Sequence, residues 1–193
     1  ILGDTLPPPP CQPGRTGLSA AVDLGTTTVV VKLYDRAHGA ELSAQRACNA
    51  QARYGADVIS RIQHTLDTPQ GFSELSGRIR GQIWAMLEAA LSAAGRQAEE
   101  LKEISVAGNT VMESLFAGKS VAGMAAAPFR PDSLFFGPEG TGELNGVPVR
   151  LLPCVAGYVG GDITAGLMAS GLGEKPGEHL FLDIGTNGEM AMG

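Results

Sequence analysis

Aromatic side chains are scarce, at 5% of the chain with a single tryptophan, so the sequence offers no stacking platform for nucleic-acid bases. Cysteine is scarce too. Cys11, Cys48 and Cys154 lie far apart, with no CxxC pair and no neighbouring histidine. Metal and iron–sulfur sites need closely spaced ligands, so the three read as free thiols of a reduced protein. Basic residues are in the minority, 14 Lys and Arg against 20 Asp and Glu, for a net charge of −6. Such a balance argues against nucleic acid and anionic membranes as partners. No apolar run reaches the roughly 18 residues that span a bilayer, and no basic stretch followed by an apolar one opens the chain. The expected compartment is the cytoplasm.

What the chain does have is 27 glycines and 44% apolar residues in 193 positions, which suits close-packed α/β layers joined by tight turns. The run Pro7-Pro8-Pro9-Pro10 predicts an extended linker over residues 1–18 and suggests that something precedes it. Three strands are expected over 19–24, 27–34 and 41–48, rich in β-branched residues and joined by short hairpin connections. Helices follow over 56–66 and 72–94. In the second, Leu75, Ile79, Ile83, Met86, Leu87 and Leu91 recur at helical spacing, and Gly95 stops it. A strand over 103–107, a short helix over 109–116, a strand over 149–155 and a helix over 162–172 complete the pattern. Residues 117–147, rich in Gly and Pro, read as irregular. A new strand opens at 180–184. The expected architecture is therefore α/β, with a mixed five-stranded sheet flanked by helices.

One device occurs twice. Asp23-Leu24-Gly25-Thr26-Thr27-Thr28 and Asp183-Ile184-Gly185-Thr186-Asn187-Gly188 each follow an apolar strand and precede another. Glycine lets the turn approach a ligand closely, and the following N–H and hydroxyl groups can meet phosphate oxygens. The aspartate at the strand end can hold Mg²⁺ through its waters. One copy is also what a plain hairpin would show, but two copies 160 residues apart point to two related lobes clamping a triphosphate. The loop is not a P-loop, since no Gly-Lys-Ser/Thr follows a glycine-rich run.

The two loops resemble the paired phosphate motifs of the actin, heat-shock-chaperone and sugar-kinase ATPases (the ASKHA superfamily). The stretch Asp162-Ile163-Thr164-Ala165-Gly166 resembles their connecting helix, whose small residues let crossing helices pack. Asp162 matches the acidic position that the superfamily places near the attacking water; it would also serve as the N-cap of its helix. More closely, Asn49-Ala50-Gln51, Tyr54-Gly55-Ala56-Asp57-Val58-Ile59-Ser60-Arg61-Ile62, Gly108-Asn109-Thr110-Val111-Met112, the run 157–166 and Asp183 to Glu189 resemble the ATP-dependent reductive activators of corrinoid proteins. Ala50 stands where that pattern has Pro, and Ser114 where it has His.

The resemblance implies an actin-like (ribonuclease H-like) lobe over 19–178, the start of a second lobe over 179–193, and a [2Fe–2S] ferredoxin-like module upstream of this chain. It implies ATP and Mg²⁺ as cofactors and a corrinoid iron–sulfur protein or corrinoid methyltransferase as partner. ATP hydrolysis would drive reduction of cob(II)amide to cob(I)amide. Catalysis would fall to Asp23, Asp162 and Asp183, with Asp23 and Asp183 holding the metal. Phosphate contacts would come from Gly25, Thr26, Thr27, Thr28, Gly161, Gly185, Thr186, Asn187 and Gly188. The superfamily's adenosine motif lies further on in the second lobe, so weak nucleotide binding is expected of this length alone. Other readings stay open: a small-molecule kinase with an acceptor pocket, or an actin-like scaffold that uses nucleotide as a switch. The radical-dehydratase activators, which share the fold, need a cysteine pair that does not stand here. An unpaired sheet edge would also let two copies meet as a homodimer.

Overall fold

The computed structural model describes residues 14–174, 176–185 and 188–193. The four consecutive prolines lie outside these residues. Leu18–Leu24 (β1) and Thr28–Asp35 (β2) pair antiparallel, with Leu24 opposite Val29. Strict alternation decides which face is buried: Leu18, Ala20, Val22 and Leu24 point inward with Val29, Val31 and Leu33. Glu41–Cys48 (β3), more polar, takes the edge beside β2.

Val58–Asp67 (α1) starts at a capping box, in which the Asp57 carboxylate accepts from the Ser60 N–H and Ser60 Oγ meets the Asp57 backbone. Gly71–Ala93 (α2) buries the stripe Leu75, Ile79, Ile83, Met86, Leu87, Ala90 and Leu91. Each such aliphatic side chain, fully withdrawn from water, contributes about 1.5–3 kcal/mol. The helix stops at Gly95, whose φ is 64°, with the Arg96 N–H donating back to Leu91 O at 2.9 Å.

Leu101–Gly108 (β4) then runs parallel to β1, placing Gly108 beside Leu24. Thr110–Ala117 (α3) follows, its first turn capped by Asn109 Oδ1, which accepts from Met112 N–H at 3.0 Å. Thr141–Leu144 (β5) and Val147–Leu151 (β6) form a hairpin, and β6 runs parallel to β4. Gly161–Ser170 (α4) precedes a separate hairpin of Leu180–Ile184 (β7) and Gly188–Met192 (β8).

The main sheet has the order β3-β2-β1-β4-β6-β5. It is mixed, as expected, but six-stranded rather than five-stranded. The additional strand is β5, which lies within the stretch read as irregular. It is set by a turn at Asn145 and Gly146, whose φ values are 50° and 79°. The strand expected to reach residue 155 ends at Leu151, because Pro153 has no N–H for the ladder. Helices α2 and α3 lie against the apolar face, and α1 packs on both of them. Ala165 of α4 shares a cavity with Ala21, Val30 and Ala107 on the opposite face. Three parallel strands, β1, β4 and β6, thus deliver their C-terminal loops to one edge, where ligands of open α/β sheets bind.

Candidate functional site

At that edge a cleft of about 270 Å³ is lined by Asp23, Gly25, Thr26, Thr27, Thr28, Asn109, Asp162, Asp183, Gly185 and Glu189. Each arrives on a different element. Asp23 ends β1 and Asn109 joins β4 to α3. Asp162 sits in the first turn of α4, and Asp183 and Glu189 face one another across the β7–β8 ladder. The turn from β1 to β2 needs Gly25 for space: a Cβ there would come 2.6 Å from Thr28 O. Three side chains hold the turn. Asn49 Nδ2 donates to Gly25 O at 2.8 Å, Arg61 Nη2 to Thr26 O at 2.6 Å, and Asn109 Nδ2 to Thr26 Oγ1 at 2.9 Å.

Carboxylates crowd the mouth. Burial pushes the Asp162 carboxyl up to about 6, against a hydrogen bond from the Ile163 N–H, and the charges of Asp183, Glu189 and Asp23 push it the same way. Asp23 is raised by burial and by Asp183, and Glu189 likewise. No lysine or arginine is among the described residues that line the cleft. The sequence reading gave Asp162 a second role as helix N-cap. The cap is instead Gly160, and Asp162 Oδ1 accepts from Ile163 N–H at 2.9 Å inside the first turn.

Of the residues singled out from the sequence, Asp23, Gly25, Thr26, Thr27, Thr28, Asp162, Asp183 and Gly185 come together here. Gly161 starts α4 but is buried beneath Leu152 and Glu113, and Gly188 does not line the cleft. Thr186 and Asn187 lie outside the described residues. Gly166 was expected to admit a crossing helix; among the described residues its neighbour is the Phe181 ring of β7. Asn109 and Glu189 received no role from the sequence. Asn109 carried a signal all the same: a capping residue directly after a parallel strand falls at the ligand-binding edge. The two departures from the resembled pattern are both accommodated. The Ala50 N–H donates to Gln82 Oε1 at 2.8 Å, a bond proline would lack, and buried Ser114 Oγ donates to Thr110 O at 2.7 Å.

Beneath α4 lies a second, buried pair. Glu113 is fully buried, with Oε1 accepting from Gly108 N–H at 2.9 Å and Oε2 3.5 Å from Cys154 Sγ. Burial raises Glu113 to about 9, helped by Asp162, and raises the Cys154 thiol to about 12. Glu113 is therefore neutral at pH 7. Its proton is held in the folded state but lost above about pH 4.5 in the unfolded chain. This contribution to stability is fully present below that pH and is lost as pH rises toward 9, by up to about 1.4 kcal/mol per unit. Glu113→Gln has no proton to lose, so it should match the wild type near pH 4.5, exceed it in stability at pH 7 and flatten the decline between pH 7 and 9, as thermal melts across that range would reveal.

The strand order, the antiparallel β2 and the cleft at the carboxyl ends of β1 and β4 define a lobe of the actin-like, ribonuclease H-like ATPase fold. Within that fold the chain belongs to the RACo middle region family, whose model matches residues 18–175. It is 30% identical over 185 residues to the corrinoid activation enzyme RamQ of Eubacterium limosum, an alignment covering 90% of this chain and 30% of that enzyme. It also superposes, with a TM-score of 0.86 and 36% identity, on a solved structure described as a reductive activator for corrinoid, iron–sulfur protein, covering 94% of this chain and 30% of the other. The chain thus spans about 30% of the length of both relatives. Among the described residues no helix is long and apolar enough to cross a membrane.

Proposed function

We propose that this chain forms part of the ATP-hydrolysing engine of a corrinoid reductive activator. In that reading, residues 19–178 are the first lobe of the ATPase domain, residues 179–193 open the second, and residues 1–18 are a linker. The observation that carries it is the meeting of Asp23, Asp162 and Asp183 with the Gly25–Thr28 turn in one cleft, within a chain of this family. The donor set suits Mg²⁺: carboxylates and hydroxyls, with no histidine or cysteine among the described lining residues. Asp23 and Asp183 would hold the ion through its waters, and when bound it neutralises charge on the phosphate oxygens. The Thr26, Thr27 and Thr28 hydroxyls and the N–H groups of the turn meet the phosphates. Asp162, ionised at pH 7, orients a water and accepts its proton as the terminal phosphoryl group leaves ADP.

Closing of the two lobes around the nucleotide is a hinge movement that is passed to the partner, and hydrolysis to ADP and phosphate makes the cycle run one way. The electron that converts cob(II)amide to cob(I)amide comes from the [2Fe–2S] cluster of the upstream module in the complete protein. A corrinoid iron–sulfur protein or corrinoid methyltransferase is the partner. The test is ATP turnover by the complete protein with and without a corrinoid protein in the cob(II)amide state. A severalfold rise on adding that protein, with cob(I)amide forming in step, is expected. Turnover indifferent to it would remove the activator reading and leave the ATPase lobe in place.

A further inference from the structure

Arg61 is among the largest side chains in the core, and it is fully buried. Its guanidinium donates from Nε to Gly55 O at 3.0 Å, from Nη1 to Gln51 Oε1 at 3.2 Å and to Met112 Sδ at 3.0 Å, and from Nη2 to Thr26 O at 2.6 Å. Its partners are all neutral. None of the ion pairs among the described residues includes it, and the charge of Asp57 at the start of α1 is felt only at a distance. Burial lowers its pKa to about 10, so it remains a cation at neutral pH. A buried cation without a carboxylate partner is costly to desolvate, and four neutral acceptors offset only part of that cost.

The cleft in front of it gives the complementary half of the argument. Four carboxylates line that cleft and no basic side chain does, among the described residues. Besides the Mg²⁺ of the nucleotide reading and Lys32, which lines the adjoining cavity with Asp23, Asp162 and Asp183, the nearest fixed cation to the turn is Arg61, buried against its Thr26 carbonyl. The tethers also set the turn's direction. Asn49 holds the Gly25 carbonyl inward and Arg61 holds the Thr26 carbonyl inward. In a planar trans peptide the N–H points opposite to the C=O, so the N–H bonds of Thr26 and Thr27 are turned toward the cleft.

We infer that Arg61 is a positioning residue of the phosphate turn, aiming its N–H groups and supplying the buried charge that makes the cleft favour long phosphate chains over short ones. This rests on the nucleotide reading above and adds selectivity by phosphate number. The effect is an interaction between charges across the turn, so it scales with the charge of the ligand. At neutral pH MgATP carries about two negative charges, MgADP about one and adenosine none, so MgATP gains most, MgADP less and adenosine least.

The test uses the complete protein, with affinities for MgATP, MgADP and adenosine measured by competition against a fluorescent ATP analogue. The readout is the ratio of MgATP to adenosine affinity. Arg61→Met is expected to lower that ratio about 10- to 100-fold, with MgADP intermediate. Arg61→Lys keeps the charge without the planar fork and is expected to hold the ratio within about threefold of the wild type. A purely structural clamp predicts something else: both variants weaken all three ligands equally, and the ratio stays put. An unchanged ratio in folded Arg61→Met overturns the inference. If Arg61→Met does not fold, Arg61→Gln, neutral but able to keep a hydrogen bond to the Thr26 carbonyl, takes its place, and an unchanged ratio there overturns the inference equally. Wild-type protein that binds none of the three ligands would instead remove the nucleotide reading itself.

Discussion

Gly160→Ala is expected to cripple the protein, although alanine is a conservative replacement and the backbone at this position suits any residue. Its φ and ψ are −94° and −171°, ordinary extended values. What is missing is room. A Cβ on residue 160 would press on Gly108 O and Asn109 Cα and lie 2.7 Å from Asn109 C. All three are backbone atoms of the junction between β4 and α3, which cannot swing aside as a side chain would. The methyl group must force α4 away from that junction. Overpacking of this kind costs about 1–3 kcal/mol and occasionally more. The functional loss should be larger than the loss of stability. The junction carries Asn109, which holds the Thr26 hydroxyl, while α4 carries Asp162. Separating them misplaces the two walls of the cleft, and a shift near 1 Å lowers turnover about 100-fold. A melting curve together with ATP turnover of the complete protein checks this. Gly81→Ala in α2, where a Cβ would meet nothing within 4 Å, is the control, and it should be stabilising by up to about 1 kcal/mol. Equal behaviour of the two variants would show that the close approach at Gly160 is unimportant.

Asp162→Asn should abolish hydrolysis more selectively. The substitution keeps the size and the acceptor for the Ile163 N–H but removes the charge and the basicity. Loss of a general base lowers turnover by about 10²–10⁴-fold. Nucleotide affinity should hold or improve, because one of four mutually repelling carboxylates is gone. Single-turnover hydrolysis and equilibrium binding separate the two quantities. Turnover within tenfold of the wild type would mean that another group takes the proton from water, and Asp162 would then be a structural residue of the α4 first turn.

Much of this molecule is legible from the order of its residues, and the exceptions have physical causes. Strand β1 alternates strictly because one face is buried and the other is not, and α2 carries a continuous apolar stripe. Both are patterns that a linear reading detects. Strand β5 was missed because Thr141-Gly142-Glu143-Leu144 has little apolar surface and only Leu144 is buried; its partner β6 and the Asn145-Gly146 turn impose the conformation. That dipeptide is itself a hairpin signal that the glycine-rich surroundings hid. For the site, Asp23 and Asp183 announced themselves because each stands near the end of an apolar strand just before Gly-Thr. Arg61 did not. On an amphipathic helix an arginine reads as a solvated residue, and only the packing of α1 against the β1–β2 turn reveals that its charge is sealed inside. Glu113 is hidden in the same way, since its neutrality follows from burial against Cys154 and Gly108 rather than from any local pattern.

The parallel pairing of β1 with β4 has a consequence for how the protein comes into being. The strand that leads to Asp23 is synthesised some eighty residues before its partner β4, and Asp183 trails Asp23 by 160. At typical synthesis rates of about 5–20 residues per second, roughly 8 to 30 s elapse before all the walls of the cleft exist. Until β4 follows, about 4 to 16 s after β1, this lobe has only the β1–β2–β3 meander and its helices, with β1 offering a bare edge. Any ligand of the cleft thus arrives after the slow, long-range step is complete. Mass action from that ligand adds to the stability of the finished lobe. It does nothing to hasten the pairing of β1 with β4, which depends on the residues between those two strands.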